Sequence, residues 1–136
     1  MKPITIQTTV HAPIDHVWKV WNEPKHIMQW LFASDDWECP HSENDLREGG
    51  IFKHRMQAKD GSFGFDMGGT YTKVVPFKEI AYTFGDRTAH VIFEDQGDHV
   101  IITETFDPET QNPEEMQRAG WQAILDNFKK HAEAVQ

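Results

Sequence analysis

The chain has 136 residues, 38% of them hydrophobic and 12% aromatic, enough for one domain (1–136) with a real core and too few for two. Twenty-two acidic residues against 13 basic ones leave a formal charge of -9; that balance opposes a phosphate-backbone partner, and no nucleic acid is expected. No apolar run is long enough to span a bilayer, Met1 to Val10 lacks a secretion-signal pattern, and Cys39 has no second cysteine to pair with, so the chain reads as cytoplasmic.

Ile4, Ile6, Thr8 and Val10 alternate with Thr5, Gln7 and Thr9, the period of a strand with one face on a core. Pro13 then opens a helix with Ile14, Val17, Trp18 and Trp21 on one face. Asn22-Glu23-Pro24 stops it before a second short helix carrying Ile27, Trp30 and Leu31. Phe32 to Asn44 carries a weak signal, read as a loop with a strand near Trp37 to Cys39. From Leu46 onward, strand follows turn. Gly49-Gly50 leads into Ile51 to Ala58, Asp60-Gly61 turns the chain, and Phe65 to Val75 runs back to Pro76. Ile80 to Phe84, Ala89 to Glu94 and Val100 to Phe106 complete an antiparallel meander, because nothing of helix length separates them.

The last segment, Asn112 to Val135, predicts one long amphipathic helix. Asn112 suits the N-cap, Pro113 the first turn and Glu115 a capping box. Trp121, Ile124, Leu125, Phe128, Ala132 and Val135 recur on one face, with Gln117, Arg118, Gln122, Asp126, Lys129, Lys130 and Glu133 on the wet side. Gly120 beside Trp121 costs helix stability, which suggests close approach by another backbone or by a ligand. The fold class is therefore α+β: a twisted sheet of six or seven strands, kinked at Gly49-Gly50 and Gly68-Gly69, curling around one long helix.

Curling leaves a concave space. Strand parity points Phe52, His54 and Met56 into it from one strand, Val91 and Phe93 from another, and Val100, Ile102, Glu104 and Phe106 from a third. Tyr71, Tyr82, Phe84, Trp121, Leu125 and Phe128 complete the lining, and Trp30 and Trp37 are candidates for its entrance. A bulge at Gly68-Gly69 would reverse the parity of that strand.

Several segments in register resemble a known family. Ala12-Pro13-Ile14-Asp15-His16-Val17-Trp18-Lys19-Val20-Trp21 with Pro24 and Trp30, Asp45-Leu46-Arg47-Glu48-Gly49-Gly50-Ile51-Phe52, Met56 to Gly61, Gly69-Thr70-Tyr71, Thr83-Phe84, Phe93-Glu94-Asp95 and Gly120-Trp121 before Leu125 are similar to landmarks of the activator-of-heat-shock-protein-ATPase homologue group of the START and birch-pollen-allergen-like (SRPBCC) superfamily. The resemblance implies a helix-grip fold with a hydrophobic tunnel under the last helix. It also implies a choice of activities, since superfamily members bind lipids, hormones or polyketides or act as cyclases and hydratases, and the eukaryotic namesake stimulates a chaperone ATPase.

The chemistry-bearing residues narrow this only partly. His54 could donate to a ligand carbonyl or act as a general acid; a histidine at the cavity mouth satisfied by water or backbone is the plainer reading. Glu104 lies between apolar neighbours, and burial would raise its pKa unless a cation or hydroxyl pairs with it; a strand-end carboxylate facing water is an equal alternative. Cys39-Pro40-His41 with Asp35, Asp36 and Glu38 has metal-ligand residue types, but its spacing matches no zinc pattern. No phosphate loop, serine elbow or activated cysteine is present in the pattern, so neither a cofactor nor a metal is expected. The leading expectation is binding of a small hydrophobic or amphipathic molecule, lipid-, polyketide- or flavonoid-like, by a monomer or weak dimer. The alternatives are a chaperone-binding interaction protein and a cyclase or hydrolase using His54 or Glu104.

Overall fold

Seven strands form one antiparallel sheet in the computed structural model, which describes residues 2–136. In chain order the elements are β1 (Ile4–Val10), α1 (Ile14–Asn22), α2 (Pro24–Trp30), β2 (Trp37–Asn44), β3 (Ile51–Ala58), β4 (Gly64–Val75), β5 (Glu79–Phe84), β6 (Arg87–Asp95), β7 (Val100–Phe106) and α3 (Glu114–Ala134). The spatial order is β1, β7, β6, β5, β4, β3, β2. From β2 to β7 every strand lies beside the one it follows. β1 joins at the far edge, so α1 and α2 must cross the concave face to connect the two edges. The strand alternation expected from the sequence holds: Phe52, His54 and Met56 on β3, Val91 and Phe93 on β6, and Val100, Ile102, Glu104 and Phe106 on β7 are all buried.

Four local readings are corrected. β2 extends from Trp37 to Asn44, beyond Cys39, and its register with β3 shifts between Glu38 and His41. Pro40 lies in that irregularity of an edge strand, where a residue without an N–H breaks no ladder. The bulge is not at Gly68-Gly69, which pair regularly with Lys53 and Phe52; the irregularity of β4 lies against β5, between Tyr71 and Lys73. Gly69 is required for a different reason. A Cβ there would sit 2.2 Å from the Thr83 carbonyl oxygen and 2.8 Å from the Phe52 ring, so the glycine lets an aromatic ring lie over the strand. Gly120, in contrast, has nothing within 4 Å of where its Cβ would be. No backbone crosses it.

The fourth correction concerns α3. Asn112 does not cap it: Pro113 holds the N-cap position and no side chain supplies a cap bond. Buried Gln117, assigned above to the wet face, pins the preceding loop instead. Its Nε2 donates to the carbonyls of Glu109 (3.1 Å) and Asn112 (2.8 Å), and its Oε1 accepts from the Glu109 N–H at 2.8 Å. Val135, assigned to the apolar face, lies past the helix end and is exposed. Four other polar residues of α3 have a structural task. Arg118 donates to the Thr5 carbonyl (2.9 Å), Gln122 to that of Gln7 (3.3 Å) and Lys129 to that of Thr9, while Glu133 accepts the His11 N–H at 2.8 Å. The three carbonyls belong to edge strand β1 and His11 directly follows it, and α3 thus closes the edge that would otherwise invite strand pairing.

The core is dense where α1 and α2 meet α3. Phe128 is completely buried and meets Trp21 and Trp30 edge-on, at ring separations of 4.8 and 4.9 Å. Trp18 and Trp21 abut Phe93 at 5.3 and 5.5 Å. The Trp30 indole N–H donates to the Val20 carbonyl at 3.0 Å, which gives a buried tryptophan the partner it needs. This aromatic wedge holds one end of α3 against the sheet.

Candidate functional site

Toward the N-terminal half of α3 the wedge stops, and a cavity of about 270 Å³ opens between helix and sheet. Its wall is built from inward-facing positions in several strands: Phe52, His54 and Met56 of β3, Phe65, Met67 and Tyr71 of β4, Ile80, Tyr82 and Phe84 of β5, Arg87 of β6 and Glu104 of β7. Trp121, Ile124 and Leu125 of α3 form the roof, and Trp21, Ile27, Trp30 and Leu31 close the end nearest the wedge. The half-exposed lining residues Phe84, Arg87, Trp121 and Ile124, with exposed Phe65, mark the side open to solvent.

Ten of the residues predicted from sequence meet at this cavity: Trp30, Phe52, His54, Met56, Tyr71, Tyr82, Phe84, Glu104, Trp121 and Leu125. Two do not. Phe128 is sealed in the wedge. Trp37 lies a layer outside, grouped with Phe63 and Phe65 at ring separations of 6.0 and 6.2 Å, and only Phe65 of that group reaches the cavity. Phe65 and Met67 could have been found in the sequence: each pairs directly with an inward residue of β3, Met56 and His54 respectively, and only the parity across Gly68-Gly69, which a bulge would have reversed, hid them. Ile80 follows from alternation with Tyr82. Arg87 gave no such signal, because a charged residue beside a turn usually faces water.

The polar groups of the wall differ in how they are satisfied. The Tyr71 hydroxyl donates to Asn44 Oδ1, and Asn44 Nδ2 in turn donates to the Asn22 carbonyl at 2.7 Å, so this tyrosine is tied to the scaffold. Burial raises its pKa further above the ordinary phenol value. His54 Nδ1 lies 2.8 Å from Ser42 Oγ, and burial pushes the imidazole pKa down to about 4. It is therefore neutral near pH 7 and offers Nε2 to the cavity, which does not suit the general-acid role considered above. Arg87 lays its guanidinium 4.4 Å from the Phe84 ring centre and reaches the Asp107 carbonyl at 3.4 Å.

Glu104 is the exception. It is 6% exposed, flanked along β7 by Ile102 and Phe106 and across the sheet by Ile6 and Val91. No described residue gives its carboxyl a hydrogen bond or a countercharge, and desolvation alone pushes its pKa up to about 8. Asn22 Oδ1 is walled off without a partner, whereas the Glu104 carboxyl is not; its oxygens face the empty space. The Tyr82 hydroxyl behaves likewise, with its pKa raised first by burial and then by Glu104.

Elsewhere, the thiol of Cys39 is buried and raised to about 11, donating to the His41 carbonyl at 3.4 Å, an unreactive setting. His41 faces Glu43 rather than Cys39. Among the described residues no three His, Cys, Asp or Glu side chains converge as a metal site would require.

A curled antiparallel sheet gripping a C-terminal helix over an apolar cavity defines a helix-grip, START-type domain. Residues 11–133 match the family described as activator of Hsp90 ATPase homolog 1-like protein, and the chain belongs to that family within the START/SRPBCC superfamily. The solution structure of an AHSA1-like protein from Aeromonas hydrophila is similar, with 41% identity, a TM-score of 0.88, and 96% of this chain and 93% of that chain covered. A protein from Cytophaga hutchinsonii is 50% identical with a TM-score of 0.84, covering 97% and 92% of the two chains. A protein from Nitrosomonas europaea shares the fold at 20% identity, with a TM-score of 0.86 over 99% and 96%. No curated protein matches the chain.

Proposed function

We propose that this protein binds a small hydrophobic or amphipathic molecule in the cavity between sheet and α3. The observation that carries the reading is the hollow itself: a space of about 270 Å³ walled mainly by aromatic and aliphatic side chains, with a few polar atoms left facing it. Protein interiors are otherwise filled, and small-molecule sites combine an apolar wall with sparse polar contacts in volumes from about 300 Å³ upward. The size suits a compact, ring-containing guest better than a long acyl chain. Titration with a panel of aromatic and lipid-derived compounds, followed by the indole N–H signals of Trp121 and Trp30, tests the reading. Saturable shifts at those two indoles are expected; a panel that leaves both untouched removes it.

The family description supports a second reading, contact with a chaperone. The surface that favours it is the pair of exposed rings Phe63 (62% exposed) and Phe65, grouped with half-buried Trp37, of which Phe65 borders the cavity. A chaperone that neither co-purifies with the protein nor hydrolyses ATP faster in its presence eliminates this reading. A cyclase or hydrolase using the same cavity is a third; turnover undiminished in Glu104→Gln and His54→Ala argues against those residues as its acid or base.

A further inference from the structure

A carboxyl buried in an apolar wall is costly unless it is paired or protonated, and this protein leaves Glu104 without a partner while satisfying polar groups around it. Tyr71 is bound to Asn44, His54 to Ser42, and the Trp30 indole to Val20. Among the described residues the one cationic side chain of the lining, Arg87, is spent over the Phe84 ring and on the Asp107 carbonyl. The cross-strand neighbours of Glu104 are Ile6 of β1 and Val91 of β6, and apart from Arg87 the lining named above, which includes Tyr82 of β5, His54 of β3 and Trp121 and Leu125 of α3, is neutral or aromatic. An acidic group at the floor, aromatic faces around it and no free cation make a site complementary to positive charge, since aromatic faces attract cations and a desolvated carboxylate attracts them more strongly.

We infer that the guest is an amphipathic amine, its ring or hydrocarbon body filling the cavity and its protonated nitrogen paired with Glu104. This rests on the binding function proposed above and names the class of ligand. Before binding, the Glu104 carboxyl is protonated near pH 7. The ammonium nitrogen takes the place of that proton, which leaves for the buffer, so an ammonium–carboxylate pair forms and close to one proton is released per ligand. Affinity then rises with pH about tenfold per unit until Glu104 is ionised without help, and falls again where the amine loses its own proton. Tyr82 adds a hydroxyl oxygen within the same space. An anionic guest is disfavoured, because the apolar wall offers its charge no free cation and Glu104 would have to stay protonated beside it.

Three isosteric probes separate the possibilities: naphthylmethylamine, naphthylmethanol and naphthoate, titrated calorimetrically at pH 7 in phosphate and in Tris, with the Trp121 and Trp30 indole signals recorded in parallel. The amine is expected to bind at least about tenfold more tightly than the alcohol, to release a proton that appears as a buffer-dependent heat, and to lose that advantage in Glu104→Gln. Alcohol binding to Glu104→Gln within about twofold of the parent shows that the variant is folded and its cavity intact. If the alcohol or naphthoate binds as tightly as the amine in the parent, or if Glu104→Gln keeps the amine preference, the amine assignment is overturned while the cavity remains a binding site. If none of the three moves either indole, both the assignment and the binding function fall.

Discussion

The two ends of the interior beneath α3 are made by the same helix and the same sheet, yet one is solid and the other hollow. At the solid end α1 and α2 insert Trp18, Trp21 and Trp30, and Phe128 and Ala132 have no exposed surface. At the hollow end nothing is inserted: Trp121 stacks on Phe106 at 3.8 Å and props the helix up, while Ile124 and Glu104 look into open space. Side chains of a buried helix face normally interdigitate with their sheet. The difference teaches that the cavity is not a failure of packing spread through the core. It is confined to the side that the connecting helices do not reach, and the aromatic wedge supplies the stability that a hollow end cannot.

Stability should therefore respond differently at the two ends. The largest expected effect is the pH dependence imposed by Glu104. Its pKa is raised from 4.5 to about 8 by burial, so between those values the folded state holds a proton that the unfolded state has lost, and stability falls as pH rises through this window, by up to roughly 5 kcal/mol. Glu104→Gln removes that slope; urea unfolding of both proteins at pH 5 and pH 8 measures it, and parallel behaviour would mean that Glu104 is paired or hydrated in solution. Next comes Phe128→Ala at the solid end, expected to cost about 4 kcal/mol, against about 1 kcal/mol for Ile124→Ala at the hollow end. Equal losses would show that the hollow end closes up in solution. His54 acts with the opposite sign: its pKa is lowered from 6.5 to about 4, so stability is lost as pH falls across that range, by roughly 3 kcal/mol. His54→Gln should flatten the acid side of the profile in the same unfolding series.

The elements were more legible from sequence than the shape they enclose. Periods of two and near four placed the three helices and every strand but β2, because a residue that alternates between core and water declares its face. What escaped was geometry that one strand's pattern does not contain. Pro40 broke the signal of β2 since nothing in the sequence says that it lies on an edge, where its missing N–H is harmless. Gln117, polar and on a helix, gave no sign that it would be buried to hold the Glu109 to Asn112 turn. The lining residues on β3, β5 and β7 were accessible through parity, but those on β4 depended on register across Gly68-Gly69. Whether Phe128 fills the core or faces the cavity depends on how far α1 and α2 reach. That is a property of the assembled fold and has no counterpart in the periodicity of α3.

Gly120 gives the smallest effect and the sharpest local test of the comparison. Its sequence position beside Trp121 suggested that bulk was forbidden there, yet a Cβ would meet nothing within 4 Å. Two accounts of a glycine in that setting make opposite predictions. If space is reserved for a guest or for motion of α3 during its entry, an added methyl should weaken ligand binding. If the glycine is merely tolerated at the loosely packed end, Gly120→Ala should stabilise the protein by about 1 kcal/mol through helix propensity and a less free unfolded chain, leaving affinity unchanged. The open surroundings favour the second outcome. A urea midpoint that rises while the naphthylmethylamine titration is unaltered would place Gly120 outside the site; a midpoint that falls would mean that α3 packs more closely over the sheet in solution than its open surroundings imply.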